Sequence, residues 1–358
     1  MTEQNSMSKR QTWLILLVIG IIFTFVALIN QRTGRSSSPK PEEQERVFPT
    51  MSTIAQVKFY GTAEQVENAA NITQDVFEMV EKTCNIFDPE SELAKLNQNA
   101  FGTPVKCSPL LWEVLLKARE GYQISEGLFD PSILPLMKAW GFNREREQLP
   151  SPEELQSALA ISGLDKVIFD DDAQTVRFTV DGVALDLGGV AKGYAVDMAA
   201  ENVRKTGITT GTINLGGNIY CFPQPPTGRE FYTVSIRNPL DKNRTCGVVR
   251  ITDKSLATSG NYERYVTFNG KNYTHIVNPK NGMPVEDMLS VTVYTTLAVD
   301  ADWLSTAVFI GGVELAKRLQ QELPDVQFLI MYRDNTTPRG FKIIKLGDAW
   351  SSINPSGK

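Results

Sequence analysis

The chain contains a single histidine, His275. It lies in the run Tyr273-Thr274-His275-Ile276-Val277-Asn278-Pro279-Lys280-Asn281-Gly282-Met283-Pro284, where a short apolar strand gives way to a Pro/Gly turn. Such a site presents an imidazole at a strand end. Histidine exchanges protons near neutral pH, so acid–base chemistry by imidazole has one candidate here. On this feature alone a solvated or core-satisfied ring is the commoner reading, and the other segments must decide between the two.

Asp186-Leu187-Gly188-Gly189-Val190-Ala191-Lys192-Gly193-Tyr194 reads as a strand end, a glycine turn and a helix start. Glycines let backbone N–H groups approach a ligand closely, and a helix N-terminus with a lysine suits a phosphate. Neither the GxxxxGK[ST] nor the GxGxxG spacing is present. The alternative is a tight turn beside a solvated lysine. Asn214-Leu215-Gly216-Gly217-Asn218 holds a second glycine pair, which alone signals only a turn or bulge. In Asp300-Ala301-Asp302-Trp303-Leu304-Ser305-Thr306, Asp302 and Thr306 are four apart and share one helical face. A carboxylate with a hydroxyl is the hard-oxygen pairing that Mg²⁺ takes, though Asp300 or Asp302 could instead cap the helix. Gly127-Leu128-Phe129-Asp130-Pro131-Ser132, followed by Trp140-Gly141-Phe142, reads as a turn with core aromatics. Thr258-Ser259-Gly260-Asn261-Tyr262-Glu263-Arg264 reads as a polar turn.

The elements that must position these residues mix helices and strands without regular βαβ alternation, an α+β pattern. Helices are expected over 62–87, 108–125, from Ser151, and over 192–206, 301–310 and 313–322. Strands are expected over 51–60, 167–169, 175–180, 212–221, 231–237, 246–252, 264–268, 290–295 and 326–333. The net charge of −5 argues against a nucleic-acid partner, which would want a basic face. Residues 13–30 form an uncharged, largely apolar run about 25 Å long as a helix, preceded by Lys9 and Arg10. With no good cleavage site after it, the run reads as an uncleaved single-pass anchor, a cleaved signal peptide being the alternative. The organisation expected is a short cytoplasmic N-terminus (1–12), the anchor, a Ser/Pro/Glu linker (31–46), a folded body (47–350) and a tail (351–358). Cys84, Cys107, Cys221 and Cys246 show no metal spacing. They are compatible with disulfides or with free buried thiols.

Taken in order, Phe87 to Asn97, Phe129 to Ser132, Trp140 to Phe142, Asp186 to Tyr194 with Asp197, Asn214 to Gly217, Thr258 to Tyr262, His275 to Pro284 and Asp302 to Thr306 resemble the ApbE family of FAD:protein FMN transferases. The likeness runs from about Met51 to about Ile344. It implies a modified T-fold and a Mg²⁺-dependent reaction in which FAD is cleaved. FMN would pass to a Thr or Ser hydroxyl of a target flavoprotein, and AMP would leave. It further implies that Asp302, Thr306 and the Gly189 carbonyl hold Mg²⁺ and that Lys192 holds a phosphate oxygen. Met51, Phe87, Leu128, Phe129, Asp130, Asp186, His275 and Ile276 would contact FAD, with His275 also the general base. Targets in such a family are typically subunits of membrane redox complexes. That fits a body held on the periplasmic side of the inner membrane.

Three stretches depart from the family pattern. The usual Met-Gly-Thr is Met51-Ser52-Thr53, and the usual tyrosine is Phe87. The His-x-x-Asp-Pro-Arg-Thr-Gly run carries Asn278, Lys280 and Asn281. A Mg²⁺-dependent FAD pyrophosphatase on the same site and a non-catalytic flavin-binding protein are the rival readings.

Overall fold

The computed structural model describes residues 42–142 and 146–353. The apolar run at 13–30 lies outside them, and among the described residues no helix is long and apolar enough to cross a membrane.

The chain begins with a hairpin of β1 (Glu42–Thr50) and β2 (Thr53–Gly61). Its two-residue turn puts Met51 (φ 48°) and Ser52 (φ 57°) in the left-handed region, the geometry that matches the twist of paired strands. Helix α1 (Ala63–Cys84) follows, closed by a capping box in which Thr62 and Gln65 exchange hydrogen bonds. The helices α2 (Glu92–Asn99), α3 (Pro109–Ile124), α4 (Leu134–Trp140) and α5 (Pro152–Ala160) come next. Strand β3 (Val105–Lys106) falls among them and makes a small sheet with β4 (Val167–Asp170) and β5 (Thr175–Phe178). The rest of the chain supplies α6 (Ala191–Lys205), β6 (Gly211–Leu215), β7 (Asn218–Cys221), β8 (Tyr232–Arg237), β9 (Thr245–Ile251) and β10 (Lys254–Gly260). After these come β11 (Tyr265–Phe268), β12 (Lys271–Thr274), β13 (Met288–Thr295), α7 (Ala298–Glu322), β14 (Gln327–Arg333) and β15 (Phe341–Leu346).

Eight strands form one antiparallel sheet in the order β1-β2-β6-β7-β10-β13-β14-β15. Helices α1, α6 and α7 cover one face, and the main core lies between them and the sheet. The other face carries a second core of Val249, Leu256, Leu289, Met331 and Trp350. A sheet covered on both faces explains why central β13 (Met-Leu-Ser-Val-Thr-Val-Tyr-Thr) does not alternate in polarity and is buried at nearly every position. A third cluster, including Leu136, Trp140, Phe268 and Val277, joins α4 to the β11–β12 hairpin.

The structure corrects several expectations. Residues 42–46, read as the end of the linker, belong to the fold, because polar β1 pairs with β2 along its whole length. Lys58 binds Glu43 at 2.5 Å and Glu45 at 3.7 Å, and Arg46 reaches Glu67 of α1 at 2.7 Å. The body also extends past residue 350, since Ile353 is buried against the second core. Residues 212–221 form two strands rather than one, broken at Gly216-Gly217. Thr258 to Gly260 belong to β10 rather than to a turn. The helices expected over 301–310 and 313–322 join as α7, with a non-helical break at Gly312. All four cysteines are free and buried.

Candidate active site

One cavity of about 690 Å³ brings together all twelve residues singled out above: Met51, Phe87, Leu128, Phe129, Asp130, Asp186, Gly189, Lys192, His275, Ile276, Asp302 and Thr306. They come from the β1–β2 turn, the segment after α1, the loop before α4, the glycine turn before α6, the loop after β12, and α7.

The wall formed by the glycine turn is two helices set in near-contact. A Cβ on Gly193 would lie 2.3 Å from the Ala298 carbonyl oxygen and 2.6 Å from Val299 Cα, so only glycine lets α6 come this close to α7. The Gly193 N–H then donates to Asp302 Oδ2 at 3.0 Å. Lys192 Nζ stands 3.5 Å from both Asp302 oxygens and donates to the Gly188 carbonyl at 2.6 Å. Asp302 is buried and does not cap its own helix. Asp197 of α6 does the capping instead, its two oxygens accepting the Ala298 and Val299 N–H groups at 2.8 Å each. This is how the first turn of α7 satisfies its donors when its N-cap residue is Leu297. Burial outweighs those two hydrogen bonds and pushes the Asp197 carboxyl up to about 7.

One turn along α7, Thr306 Oγ1 lies 3.4 Å from Ser259 Oγ, and Ser259 bonds Ser305 at 2.7 Å. A Cβ on Gly189 would sit 3.5 Å from Thr306 Oγ1 and collide with Phe129, which places the glycine turn directly over this cluster. Asp302, Thr306 and the Gly189 backbone are hard-oxygen donors gathered in one corner. Among the described residues no group of three or more His, Cys, Asp or Glu is arranged to hold a metal. A corner with one carboxylate fits Mg²⁺ that shares its coordination with substrate phosphates rather than one caged wholly by protein.

Across the cavity, His275 extends the β11–β12 hairpin by one pair. Its main-chain N–H donates to the Arg264 carbonyl at 3.1 Å, and its Nδ1 lies 3.0 Å from the same oxygen. A carbonyl only accepts, so Nδ1 carries the proton and Nε2 keeps its lone pair. Burial, with Arg264 and Lys192 nearby, lowers the imidazole to about 4, so it is neutral across the physiological range. The loop after it is pinned by Trp140 Nε1, which donates to the Gly282 carbonyl at 2.7 Å. Phe87, 52% exposed, stands at the rim with the Arg264 guanidinium 5.8 Å from its ring centre.

Between the walls, Asp130 accepts from the Ser132 N–H and Oγ, and Asp186 accepts from the Gly188 N–H at 2.9 Å. Burial raises both carboxyls above their ordinary value. The irregular segment carrying Asp186, read from sequence as a strand end, belongs to no strand and is held by Asn97, whose amide bonds both main-chain groups of Leu185. Arg264, Asn218, Thr258 and Ser259 also line the cavity and were not singled out as site residues. Their signal was available in the Thr258–Arg264 and Asn214–Asn218 runs, which local chemistry alone reads as turns.

Fold and cleft define an α+β protein built around one nucleotide-sized, phosphate-receptive cavity. The ApbE family model matches residues 51–330, and the chain belongs to the ApbE family. It is 29% identical over 298 residues to a FAD:protein FMN transferase of Haemophilus influenzae, covering 80% of this chain and 86% of that protein. It is 31% identical over 249 residues to a FAD:protein FMN transferase of Klebsiella pneumoniae, covering 68% of this chain and 77% of that one. The solved ApbE protein of Thermotoga maritima superposes with a TM-score of 0.79 at 25% identity, covering 87% of this chain and all of that one.

Proposed function

We propose that this chain is a Mg²⁺-dependent FAD:protein FMN transferase. The observation that carries the reading is the cavity itself. A neutral imidazole with a free Nε2 faces a corner where Lys192, Asp302, Thr306 and a glycine turn converge. FAD is the substrate, with its pyrophosphate over the glycine turn.

Bound at Asp302, Thr306 and the Gly189 carbonyl, Mg²⁺ would supply charge neutralisation for the pyrophosphate. Lys192 holds a phosphate oxygen. The α6 N-terminus and the Gly188-Gly189 backbone fix the phosphates in place. Met51, Phe87, Leu128, Phe129, Asp130, Asp186 and Ile276 hold the remainder of FAD. The hydroxyl oxygen of an acceptor Thr or Ser forms a bond to the phosphorus of the FMN half. The bond from that phosphorus to the bridging oxygen breaks, and AMP leaves. The hydroxyl proton passes to His275 Nε2. In the free site Lys192 and Arg264 help hold this imidazole low. Pairing these cations with phosphate removes their share of the depression and moves His275 up from that value, burial remaining its main cause.

The apolar run at 13–30 supports anchoring in the inner membrane, with the body on the periplasmic side. The acceptor is then a subunit of a membrane redox complex. The T-fold implied by the resemblance belongs to the same reading.

Mass spectrometry after mixing the protein with FAD, Mg²⁺ and a candidate acceptor tests this. Gain of one FMN phosphoester by the acceptor, with AMP released, is expected. Free FMN and AMP beside an acceptor that stays unmodified would assign the site to water as a pyrophosphatase. FAD left intact under all conditions would reduce the protein to a flavin binder.

A further inference from the structure

Asn218 opens β7 immediately after the Gly216-Gly217 turn. It is 3% exposed and lines the cavity, yet its carboxamide Oδ1 has no hydrogen-bond partner among the described residues. Leaving a buried polar atom unpaired costs stability, so native proteins rarely do it without a reason. The other such atom, Gln44 Oε1, belongs to an amide already anchored through Nε2 to Glu67 at 2.6 Å on the outer hairpin. Asn218 has no such alternative role.

The turn does not need the Asn218 side chain. Gly216 (φ 58°) and Gly217 (φ 92°) adopt the left-handed geometry of a two-residue hairpin, and Asn214 Oδ1 accepts the Gly217 N–H at 3.0 Å. The backbone of Asn218 is placed by its pairing with Leu215. Neighbouring polar residues on the cavity floor are satisfied within the protein, Thr258 by Thr292 at 2.9 Å and Ser259 by Ser305 at 2.7 Å. Among the described residues that line the cavity, Asn218 Oδ1 is the buried side-chain atom left with no partner at all.

An acceptor oxygen needs a donor, which a phosphate oxygen cannot be. Resting on the transferase reading above, we infer that Asn218 is a substrate-contacting residue. Its carboxamide oxygen accepts a hydrogen bond from an O–H or N–H group of the bound flavin nucleotide. Such donors are the sugar hydroxyls, the flavin imide and the adenine amino group.

The test uses the full-length protein in EDTA, comparing wild type with the near-isosteric Asn218→Leu and with Asn218→Ala. Thermal unfolding without ligand and calorimetric titration with FAD, FMN and AMP are the readouts. Both variants should unfold about 2 °C higher than wild type when empty, because the unpaired oxygen is gone. Their Kd for FAD should rise about tenfold, the loss of one such bond. A matching loss for FMN but not AMP assigns the donor to the flavin half, and the reverse assigns it to adenosine. FAD bound equally by all three proteins overturns the inference and leaves the transferase reading standing. Weaker binding accompanied by a lower unfolding temperature also overturns it, because Asn218 would then be a structural residue. A wild type that binds no FAD removes the functional reading and this inference with it.

Discussion

The two walls of the cavity are built in opposite ways. On the α6–α7 side the charged and hydroxyl groups are tied down: Gly193 and Lys192 to Asp302, Asp197 to the first turn of α7, and Ser259 to Ser305. On the His275 side, the ring hangs from one carbonyl and Phe87 stands half in solvent. The contrast matches the two tasks. Holding a doubly charged pyrophosphate rewards groups that need no reorganisation. Admitting a second protein's hydroxyl requires an opening with an aromatic rim that can be covered on arrival.

The contrast can be broken in steps. Asp302→Ala removes the buried carboxylate of the closed wall and should slow AMP release about 10⁴-fold, a loss of several kcal/mol. A loss of less than tenfold would mean that this corner holds no metal. His275→Gln strikes the open wall and should cost about 10²–10³-fold in FMN transfer while the Kd for FAD stays constant. Equal loss of binding would turn His275 into a residue that orients FAD.

Gly193→Ala should destabilise the protein by about 1–3 kcal/mol in denaturant unfolding, because the helices have no room to part. Phe87→Ala, on the open wall, should stay within about 0.5 kcal/mol.

The walls also titrate in opposite senses. Asp197 has a folded value of about 7, above its ordinary 3.8, so the folded state binds more protons between these limits. That contribution to stability is present at low pH and is lost as pH rises through about 7. His275 has a folded value of about 4, below its ordinary 6.5, so here the unfolded state binds more protons. Its contribution is present above about 6.5 and is lost as pH falls toward about 4. Both windows lie at or below about pH 7 and their slopes oppose each other, so between about pH 4 and 7 stability should rise more steeply with pH in Asp197→Asn and fall more steeply in His275→Gln. A small effect of the opposite sign is expected at Ser52, held at φ 57° where the family pattern has glycine. Ser52→Gly should stabilise the hairpin by about 0.5–1 kcal/mol on thermal unfolding.

What the sequence revealed of all this follows from the range of the forces involved. Helices α1 and α3 were legible from their apolar stripes, and α5 from the Ser151-Pro152-Glu153-Glu154 start that caps it, all signals local in sequence. The Asp302–Thr306 pair was legible because helical spacing alone sets it on one face. Strand β1 was not, since its Glu-Glu-Gln-Glu-Arg start looks like linker until Lys58 and Glu67 supply opposite charges from elsewhere. Nor was β10. Its Thr-Ser-Gly end is polar enough for a turn, and only Thr292 and Ser305, more than thirty residues away in sequence, make those hydroxyls at home in a core. Asp197 shows the same limit, for nothing near it in sequence reveals that it closes the end of another helix.

The four cysteines carry a practical consequence. All are buried, and Cys84, Cys107 and Cys221 have thiols pushed up to about 12 by burial. A thiol held protonated and out of reach does not react with maleimides or exchange disulfides. The fold therefore stands without covalent cross-links, whether its surroundings are oxidising or reducing. A single cysteine introduced at exposed Met283, in the loop after His275, would give a spectroscopic label one dominant place to attach. From there it could report the arrival of the acceptor protein without the native thiols being removed first.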